Sequence, residues 1–296
     1  MLICDTHADT LWARARRKTN LDVTIDRLAD ARHTRVQVLA LFVETGGMQR
    51  TPTIVQQELA AFETMKAEGF HHIRTVEEAQ SGRANVMLSI EGGEAFGGDA
   101  ANVERFAQLG VRIAALMWNN ENGIGRPALS GSNEGLTPYG REVVRRMHAA
   151  HMAVDVSHLN ERGMYQALDT GVPIMASHSC ARRLCDHPRN LTDDQLRAMF
   201  QNGGYVGVNF YNTFLHPDSR ADIDTVIDHM AHMCDLGGED HVGFGSDFDG
   251  IELHPAGLAH AGDVPALIDR LQARGFGKTL TEKIAGLNFQ AYMQRI

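Results

Sequence analysis

Two side chains that can bind a metal ion stand two residues apart near the start of the chain, in Asp5-Thr-His7-Ala-Asp9. Residues two apart in an extended segment point to the same side, so His7 and Asp9 can reach one cation together. An imidazole nitrogen and a carboxylate oxygen are both good ligands for zinc-like metals. Taken alone, the pattern fits an acidic turn with a capping histidine equally well.

Three further apolar segments also end in residues of this kind. Glu91 follows an apolar run and precedes two glycines, and its two oxygens could bridge two cations. The segments 154–158 and 174–178 are successive strand candidates that both end in Ser-His, which brings in His158 and His178. A single strand-end acid or histidine is more often structural. Two neighbouring strands that end alike would instead place two imidazoles side by side.

The last strand candidate ends in Gly243-Phe-Gly-Ser-Asp247-Phe-Asp-Gly250. Asp247 could take a proton from an attacking water, although a simple turn acid is the alternative interpretation. The combined inventory is an imidazole–carboxylate pair, two further imidazoles, a bridging carboxylate and a spare acid. It fits two ions roughly 3.5–4 Å apart with a hydroxide between them.

The segments that carry these residues alternate with helical stretches, which predicts a (β/α)8 TIM-like barrel with its active site at the C-terminal ends of the strands. An open doubly wound sheet is the alternative, but no strand candidate is followed by the G-x-G-x-x-G of a nucleotide-binding version. We expect one domain over residues 1–296. The predicted strands are Leu2–Asp5, Val36–Val43, Val86–Ile90, Arg112–Trp118, Val154–Ser157, Pro173–Ser177, Tyr205–Phe210 and His241–Ser246.

Helical spacing of apolar residues places the helices between these strands. Thr192 and Asp222 are expected to cap two of them. The Asn- and Gly-rich segment 119–138 is predicted to form a long loop over one barrel end, where active-site loops lie. The predicted helices are Ile54–Lys66, Tyr139–Met147, Met164–Leu168, Asp193–Phe200, Ile223–Leu236 and Val264–Ala273.

The amino-acid composition of the chain limits the kinds of molecule that it is expected to bind. The 28 Lys and Arg against 37 Asp and Glu give a formal charge of -9, which disfavours binding to nucleic acid or to anionic lipid. The four cysteines form no CxxC pair, and the first residues contain no basic region of a secretory signal. We therefore expect a cytoplasmic protein with reduced thiols, acting on a small molecule and binding neither nucleic acid nor membrane.

The motifs together resemble the membrane dipeptidase (renal dipeptidase) family of the amidohydrolase superfamily. The resemblance runs nearly end to end and also includes Ser177-His-Ser179, Arg189-Asn190 and Val208-Asn-Phe-Tyr-Asn212. It implies a dipeptidase with a binuclear centre of two divalent ions, expected to be Zn²⁺. Small dipeptides are the implied substrates, with L-Xaa-D-Xaa dipeptides among them, and a homodimer is the implied assembly.

The resemblance also implies a role for each matching residue. His7 and Asp9 match the ligands of one zinc, His158 and His178 match those of the other, and Glu91 matches the bridging ligand.

The remaining matches concern the proton and the substrate. Asp247 matches the acid that handles the proton, and Arg189 matches the arginine that holds the substrate's terminal carboxylate. Tyr211, in the last motif, is predicted to bind substrate. Animal members carry a histidine near the end of the fourth strand, and that position is Trp118 here. Since indole cannot ligate a metal, Trp118 is either an apolar wall for a substrate side chain or packing under the long loop.

Two other functions remain as alternatives. Another amidohydrolase, such as a deaminase, a lactonase or an N-acyl amino acid hydrolase, usually opens with His-x-His, whereas this chain has His7-Ala-Asp9. Many such enzymes bridge their metals with a carboxylated lysine, and no lysine here falls at a predicted strand end, which favours Glu91. A non-catalytic metal-binding barrel would be expected to lack ligands, and all five are present.

Overall fold

A computed structural model describes residues 1–43 and 51–296, and its central feature is a closed barrel of parallel strands. The ring order is β1-β2-β4-β5-β6-β7-β8-β9, and it closes because β1 pairs with both β2 and β9. β3 lies outside the ring, beside the first residues of β4. The strands are β1 (Leu2–Asp5), β2 (Thr34–Phe42), β3 (His71–His72), β4 (Ala84–Glu91), β5 (Val111–Ala115), β6 (Ala153–Asp155), β7 (Met175–Ala176), β8 (Tyr205–Val208) and β9 (Val242–Phe244).

Helices surround this ring, so the strands are covered on both sides and every residue of β4 is buried. In the described parts of the chain, no helix combines the length and the apolar character needed to cross a bilayer. The helices are α1 (Thr10–Ala15), α2 (Ile25–Leu28), α3 (Thr51–Glu68), α4 (Asn102–Leu109), α5 (Pro138–Ala149), α6 (Glu161–Leu168), α7 (Asp193–Gln201), α8 (Asn212–Leu215), α9 (Ile223–Met233), α10 (Val264–Ala273), α11 (Lys278–Glu282) and α12 (Asn288–Met293).

The predicted (β/α)8 barrel is confirmed, and the open doubly wound sheet is wrong. The bounds of β1 and α10 agree with the prediction, and Thr192 and Asp222 both accept hydrogen bonds from the third residue of their helices. The predicted strand Pro173–Ser177 is too long. Ser177 leaves the ladder because its backbone N–H donates to the carboxylate of Asp155, 3.0 Å away, instead of to a neighbouring strand.

Other errors concern helix ends and short elements. The helix predicted to reach Leu236 ends as α9 at Met233, followed by a wider turn in which Gly237 has a φ of 95°. The strand predicted to reach Trp118 ends at Ala115 as β5. The short elements β3 and α2 were not predicted, because two to four residues carry too little periodicity.

Two glycines allow the strands to approach closely beneath the C-terminal end of the barrel. A Cβ on Gly207 would lie 2.2 Å from the carbonyl oxygen of Ser177, and one on Gly245 would lie 1.8 Å from the same atom. That oxygen also accepts a hydrogen bond of 2.6 Å from the hydroxyl of Thr6. The interior here is filled by backbone, which leaves no room for a side chain.

We therefore expect Gly245→Ala to destabilise the barrel by about 1–3 kcal/mol or more, since backbone atoms cannot rotate away as a side chain can. Gly277→Ala is the matched control, because Gly277 is exposed and a Cβ there meets no atom within 4 Å. It should change the free energy of unfolding by less than about 0.5 kcal/mol. Urea unfolding of both variants measures the difference, and equal midpoints would contradict this packing argument.

Candidate metal centre

The C-terminal ends of four strands bring the five predicted ligands together in the barrel mouth. His7 and Asp9 follow β1, and Glu91 ends β4. His158 follows β6 and His178 follows β7. None of the five is more than 6% exposed, so their interactions are little screened by water.

Glu91 lies at the centre of this group, and its two carboxylate oxygens face different partners. Oε2 lies 3.4 Å from Nε2 of His7. Oε1 lies 2.9 Å from Nε2 of His158 and 3.5 Å from Nε2 of His178. The two Nε2 atoms of His158 and His178 are themselves 3.0 Å apart. One carboxylate therefore connects two separate sets of imidazoles.

Two acids, Asp9 and Asp247, lie beside His7 on the side facing β9. Nε2 of His7 lies 3.7 Å from Oδ1 of Asp9 and 3.8 Å from Oδ1 of Asp247. The other oxygen of Asp247 accepts a hydrogen bond of 3.0 Å from the amide of Asn209. A Cβ on Gly250 would lie 2.2 Å from Oδ2 of Asp9, so the turn after β9 packs directly on this carboxylate. Asp247 is thus next to the predicted ligands, as its sequence position indicated.

Burial and mutual charge shift the pKa values of the imidazoles in opposite directions. Burial lowers the pKa of His158 to about 4 and holds the pKa of His178 well below its usual range. Both rings are therefore neutral at pH 7, which is the form that binds metals. Burial also acts to lower the pKa of His7, but the carboxylates of Glu91 and Asp9 outweigh it and raise that pKa well above its usual range.

The carboxyl groups respond to the same environment. Burial alone would raise the pKa of Glu91, but the imidazoles around it, His7 first, hold that pKa well below its usual range. Desolvation, together with neighbouring carboxylates, raises the pKa of Asp9 to about 6 and that of Asp247 to about 7. Three acids this close repel one another, and the cluster is stabilised by positive charge placed between them.

Neighbouring side chains set the orientation of the two neutral imidazoles. Nδ1 of His158 lies 2.8 Å from the amide oxygen of Asn119, which can only accept, so this nitrogen carries the proton. Nδ1 of His178 lies 2.7 Å from the hydroxyl of Ser177, which itself donates to the carboxylate of Asp155. In both rings the lone pair is therefore left on Nε2, facing Glu91.

Two residues of the site have a backbone conformation that residues other than glycine seldom adopt. His158 and Asp247 have φ values of 68° and 67°, in the left-handed region. Hydrogen bonds hold both segments there. Asp155 accepts from the backbone N–H of Ser157 at 2.9 Å, and the N–H of Asp247 donates to the carbonyl of His7 at 3.1 Å. Such strain is typical of functional sites in which the fold fixes a side-chain direction.

The donor set fits divalent cations. Nε2 of His7 and Oδ1 of Asp9 are buried and have no hydrogen-bond partner in the described part of the chain. A buried polar atom without a partner costs about 1–3 kcal/mol, and a metal ion that displaces the proton from His7 would supply a partner for both atoms. Two sets of ligand atoms are each close enough for one ion: His7 with Glu91 and His178, and His7 with Asp9 and Asp247. Imidazole and carboxylate donors of this kind suit Zn²⁺.

A cavity of about 360 Å³ opens onto this cluster. Trp118 and Tyr211, both predicted to contact substrate, line it together with Asp9, Glu91 and Asp247. The ring centres of Trp118 and His158 are 6.4 Å apart, so the interpretation of Trp118 as a wall of the site is supported by its position. The volume is large enough for a small substrate.

Arg189 is only 4% exposed and does not itself line this cavity, but it lies next to a residue that does. Its guanidinium carbon lies 5.4 Å from the ring centre of Phe214, which lines the 360 Å³ cavity. Arg189 itself lines an adjoining cavity of about 300 Å³. Its Nε is buried and has no hydrogen-bond partner among the described residues, so its capacity to donate is not used up within the fold.

Sequence reasoning missed several residues of the site. Asn119 and Asp155 orient the histidines, and Trp12, Phe42 and Phe214 line the cavity. For Asp155 a signal was present, since an acid stands three residues before His158 on the same strand end. The spacing of residues in the sequence could not identify Phe42. Its place in the cavity depends on the pairing of β2 with the neighbouring strands.

A closed (β/α)8 barrel whose strand ends bring neutral imidazoles and carboxylates together defines a metal-dependent hydrolase of the barrel type. A family model described as Membrane dipeptidase (Peptidase family M19) matches residues 1–296. The chain belongs to this family, as the motifs indicated. It is a metallopeptidase of the dipeptidase class, and such an enzyme requires a divalent metal.

Two sequence relatives illustrate the membership. An uncharacterised protein encoded in the pqqA 5' region of Klebsiella pneumoniae is 34% identical over 261 residues, which cover 82% of this chain and 96% of that protein. An uncharacterised dipeptidase of Schizosaccharomyces pombe is 42% identical over 207 residues, 68% of this chain. The match spans only 51% of the yeast protein, so this chain corresponds to about half of it.

Two solved structures share the whole fold. One is a dipeptidase and metallopeptidase of family M19, with a TM-score of 0.91 and 28% identity over 100% of this chain and 98% of that one. The other is a metallopeptidase from Rhodobacter sphaeroides liganded with a phosphinate mimic of the dipeptide L-Ala-D-Ala. It has a TM-score of 0.90 and 27% identity over 100% of this chain and 99% of that one.

The hydrogen bond between Ser177 and His178 leads to a testable prediction. Ser177→Ala removes the acceptor that holds the proton on Nδ1, so we expect the affinity for Zn²⁺ to fall about 10–100-fold. Ser179→Ala is the matched control, since Ser179 is also buried but its hydroxyl has no hydrogen-bond partner in the described ranges. Competition with a zinc chelator measures both variants, and equal affinities would show that Ser177 does not position His178.

Proposed function

We propose that this dipeptidase holds two Zn²⁺ ions and hydrolyses the amide bond of small dipeptides. The observation that carries the proposal is the position of Glu91. One of its oxygens faces His7, and the other faces His158 and His178. A carboxylate between two sets of imidazoles is suited to bridge two cations.

The division of the residues between the two ions follows the family resemblance, and the distances alone would also allow His7 to share an ion with Glu91 and His178. His7 and Asp9 would hold one ion, His158 and His178 the other, and Glu91 both. When bound, such ions polarise the scissile carbonyl and lower the pKa of water, so that a nucleophile is available at neutral pH.

The chain itself supplies the group that moves the proton. Asp247 stands beside Asp9 at the mouth of the cavity, and its side chain is 14% exposed, so a substrate can reach it. Its Oδ2 accepts from the amide of Asn209, which leaves Oδ1 directed to the side of His7. In this role Asp247 accepts the proton of the attacking water and passes it to the leaving amine.

Arg189 is proposed to bind the free carboxylate of the substrate. Its buried guanidinium lies beside Phe214, at the edge of the cavity, and it can offer a pair of parallel hydrogen bonds to a carboxylate. A fixed arginine limits the length of the substrate, because a longer peptide places its carboxylate out of reach. This contact would make the enzyme a dipeptidase rather than a general peptidase.

We further propose that the C-terminal residue of the substrate can be a D-amino acid. The ligand of the related Rhodobacter sphaeroides structure, a phosphinate mimic of L-Ala-D-Ala, supports this substrate class. The cytoplasmic location, the homodimer and the lack of nucleic-acid and membrane partners stay predictions from the sequence. Cell fractionation and light scattering of the purified protein would test the first two.

The role of Arg189 can be tested with substrates that lack its partner. Wild-type enzyme should cleave a dipeptide about a hundredfold faster, as kcat/KM, than the same dipeptide with a C-terminal amide, because the amide cannot form the charged pair. Arg189→Ala should lose most of this preference by slowing only the dipeptide.

The matched control is Arg183→Ala, which removes an exposed arginine from the same loop and should keep the preference. If Arg189→Ala also kept it, the carboxylate would be bound elsewhere. If the wild-type enzyme cleaved no dipeptide at all, the proposed function itself would be contradicted.

A further inference from the structure

Three aromatic side chains form a continuous surface on one side of the 360 Å³ cavity. The ring centres of Trp12 and Phe42 are 6.1 Å apart, with an interplanar angle of 61°. Those of Phe42 and Trp118 are 5.1 Å apart, at 70°. All three residues line the cavity, and both contacts have the edge-to-face geometry that aromatic pairs prefer. We call Trp12, Phe42 and Trp118 the aromatic wall.

The wall is fixed from behind. Phe42 is the last residue of β2, is 6% exposed, and its backbone N–H donates to the buried carboxylate of Glu58 at 2.6 Å. Trp12 lies on α1, one turn after Asp9, and the Nζ of Lys18 lies 4.1 Å from the centre of its ring. A rigid surface of this kind loses little entropy when a ligand packs against it.

Phe42, the central residue of the wall, lies across the barrel mouth from the strand that leads to Arg189. Phe42 ends β2 and Arg189 follows β7, and these strands are four positions apart in either direction around the ring of eight. Near Arg189, the cavity is lined by Phe214 and Tyr211, whose ring centres are 5.0 Å apart. A dipeptide whose carboxylate lay at Arg189 would extend from the Phe214 side of the cavity across the site, with its N-terminal residue toward the aromatic wall.

We propose that the aromatic wall binds the side chain of the substrate's N-terminal residue, so that the enzyme selects dipeptides beginning with a large apolar or aromatic residue. This inference rests on the proposed dipeptidase function. The faces of the three aromatic rings are apolar, so contact with an apolar side chain of the substrate would remove both surfaces from water and favour binding. Burial of a Leu or Phe side chain corresponds to about a ten- to hundredfold gain in kcat/KM over glycine.

The charge around the cavity also disfavours an acidic N-terminal side chain. Four acids line the described cavity, and no lysine or arginine does. Among them, Glu252 and Asp247 stand on the segment after β9, which neighbours the strand leading to Trp12. A substrate such as Glu-Ala would bring a carboxylate among these four acids and against an aromatic surface. The cations nearest to it, Arg16 and Lys18, lie against the ring of Trp12 without lining the cavity, so Glu-Ala should be cleaved more slowly than Phe-Ala.

The experiment compares kcat/KM for Phe-Ala, Leu-Ala, Gly-Ala and Glu-Ala with Zn²⁺-loaded wild-type enzyme and with Trp12→Ala and Trp118→Ala. Both residues are only half-buried, so neither truncation should prevent folding, and cleavage of Gly-Ala reports the competence of each variant. We expect a Phe-Ala to Gly-Ala ratio of about ten or more in the wild-type enzyme. It should fall about tenfold in Trp118→Ala and be retained in Trp118→Phe.

The matched control is Phe214→Ala, which truncates an aromatic residue on the opposite side, next to Arg189. It should slow all four substrates and leave the Phe-Ala to Gly-Ala ratio within about twofold. The inference is overturned if the ratio is unchanged in both tryptophan variants, or if Phe214→Ala reduces it as much as they do. A wild-type enzyme that cleaves none of the four dipeptides contradicts the proposed function, and the inference with it.

Discussion

The arrangement of the barrel mouth depends on one buried carboxylate, that of Glu91, surrounded by three imidazoles. A buried charge is costly unless opposite charge and hydrogen-bond partners surround it. His7, whose pKa is raised, supplies positive charge 3.4 Å from one oxygen, whereas Nε2 of the neutral His158, 2.9 Å from the other oxygen, carries a lone pair and cannot donate to it. The nearby acids Asp9 and Asp247 add negative charge, so positive charge placed among these side chains stabilises the cluster.

The closed ring of parallel strands makes this concentration of ligands possible. Parallel strands end at the same rim, so residues far apart in sequence meet without any loop having to carry them. The interior below is filled by backbone at Gly207 and Gly245, which supports the segment bearing Ser177 and His178. Ser177 is also hydrogen-bonded to Asp155. The contacts of this one residue therefore affect both the packing of the barrel interior and the orientation of the neighbouring ligand His178.

Much of this site could be predicted from the sequence, because strand ends and alternation by two residues are local properties. Spacing made His7 with Asp9, and the two Ser-His strand ends, candidates, and their combination at the strand ends of one predicted barrel favoured a metal site. The partners that orient the rings could not be predicted in the same way. Asn119 meets His158 only through the path of a long loop, and Phe42 meets Trp118 across β4. The two-residue length of β7 was equally hidden, since it results from a side chain capturing a backbone N–H.

The central claim is that Glu91 bridges two cations, and the binding stoichiometry of Zn²⁺ tests it most directly. Metal-stripped wild-type enzyme and Glu91→Gln would be titrated side by side by calorimetry, with Glu63→Gln, an exposed glutamate on α3, as the control. We expect two ions to bind per chain in the wild-type and control proteins, and fewer than two in Glu91→Gln. One ion or none in the wild-type protein, or two ions bound with unchanged affinity in Glu91→Gln, would contradict it.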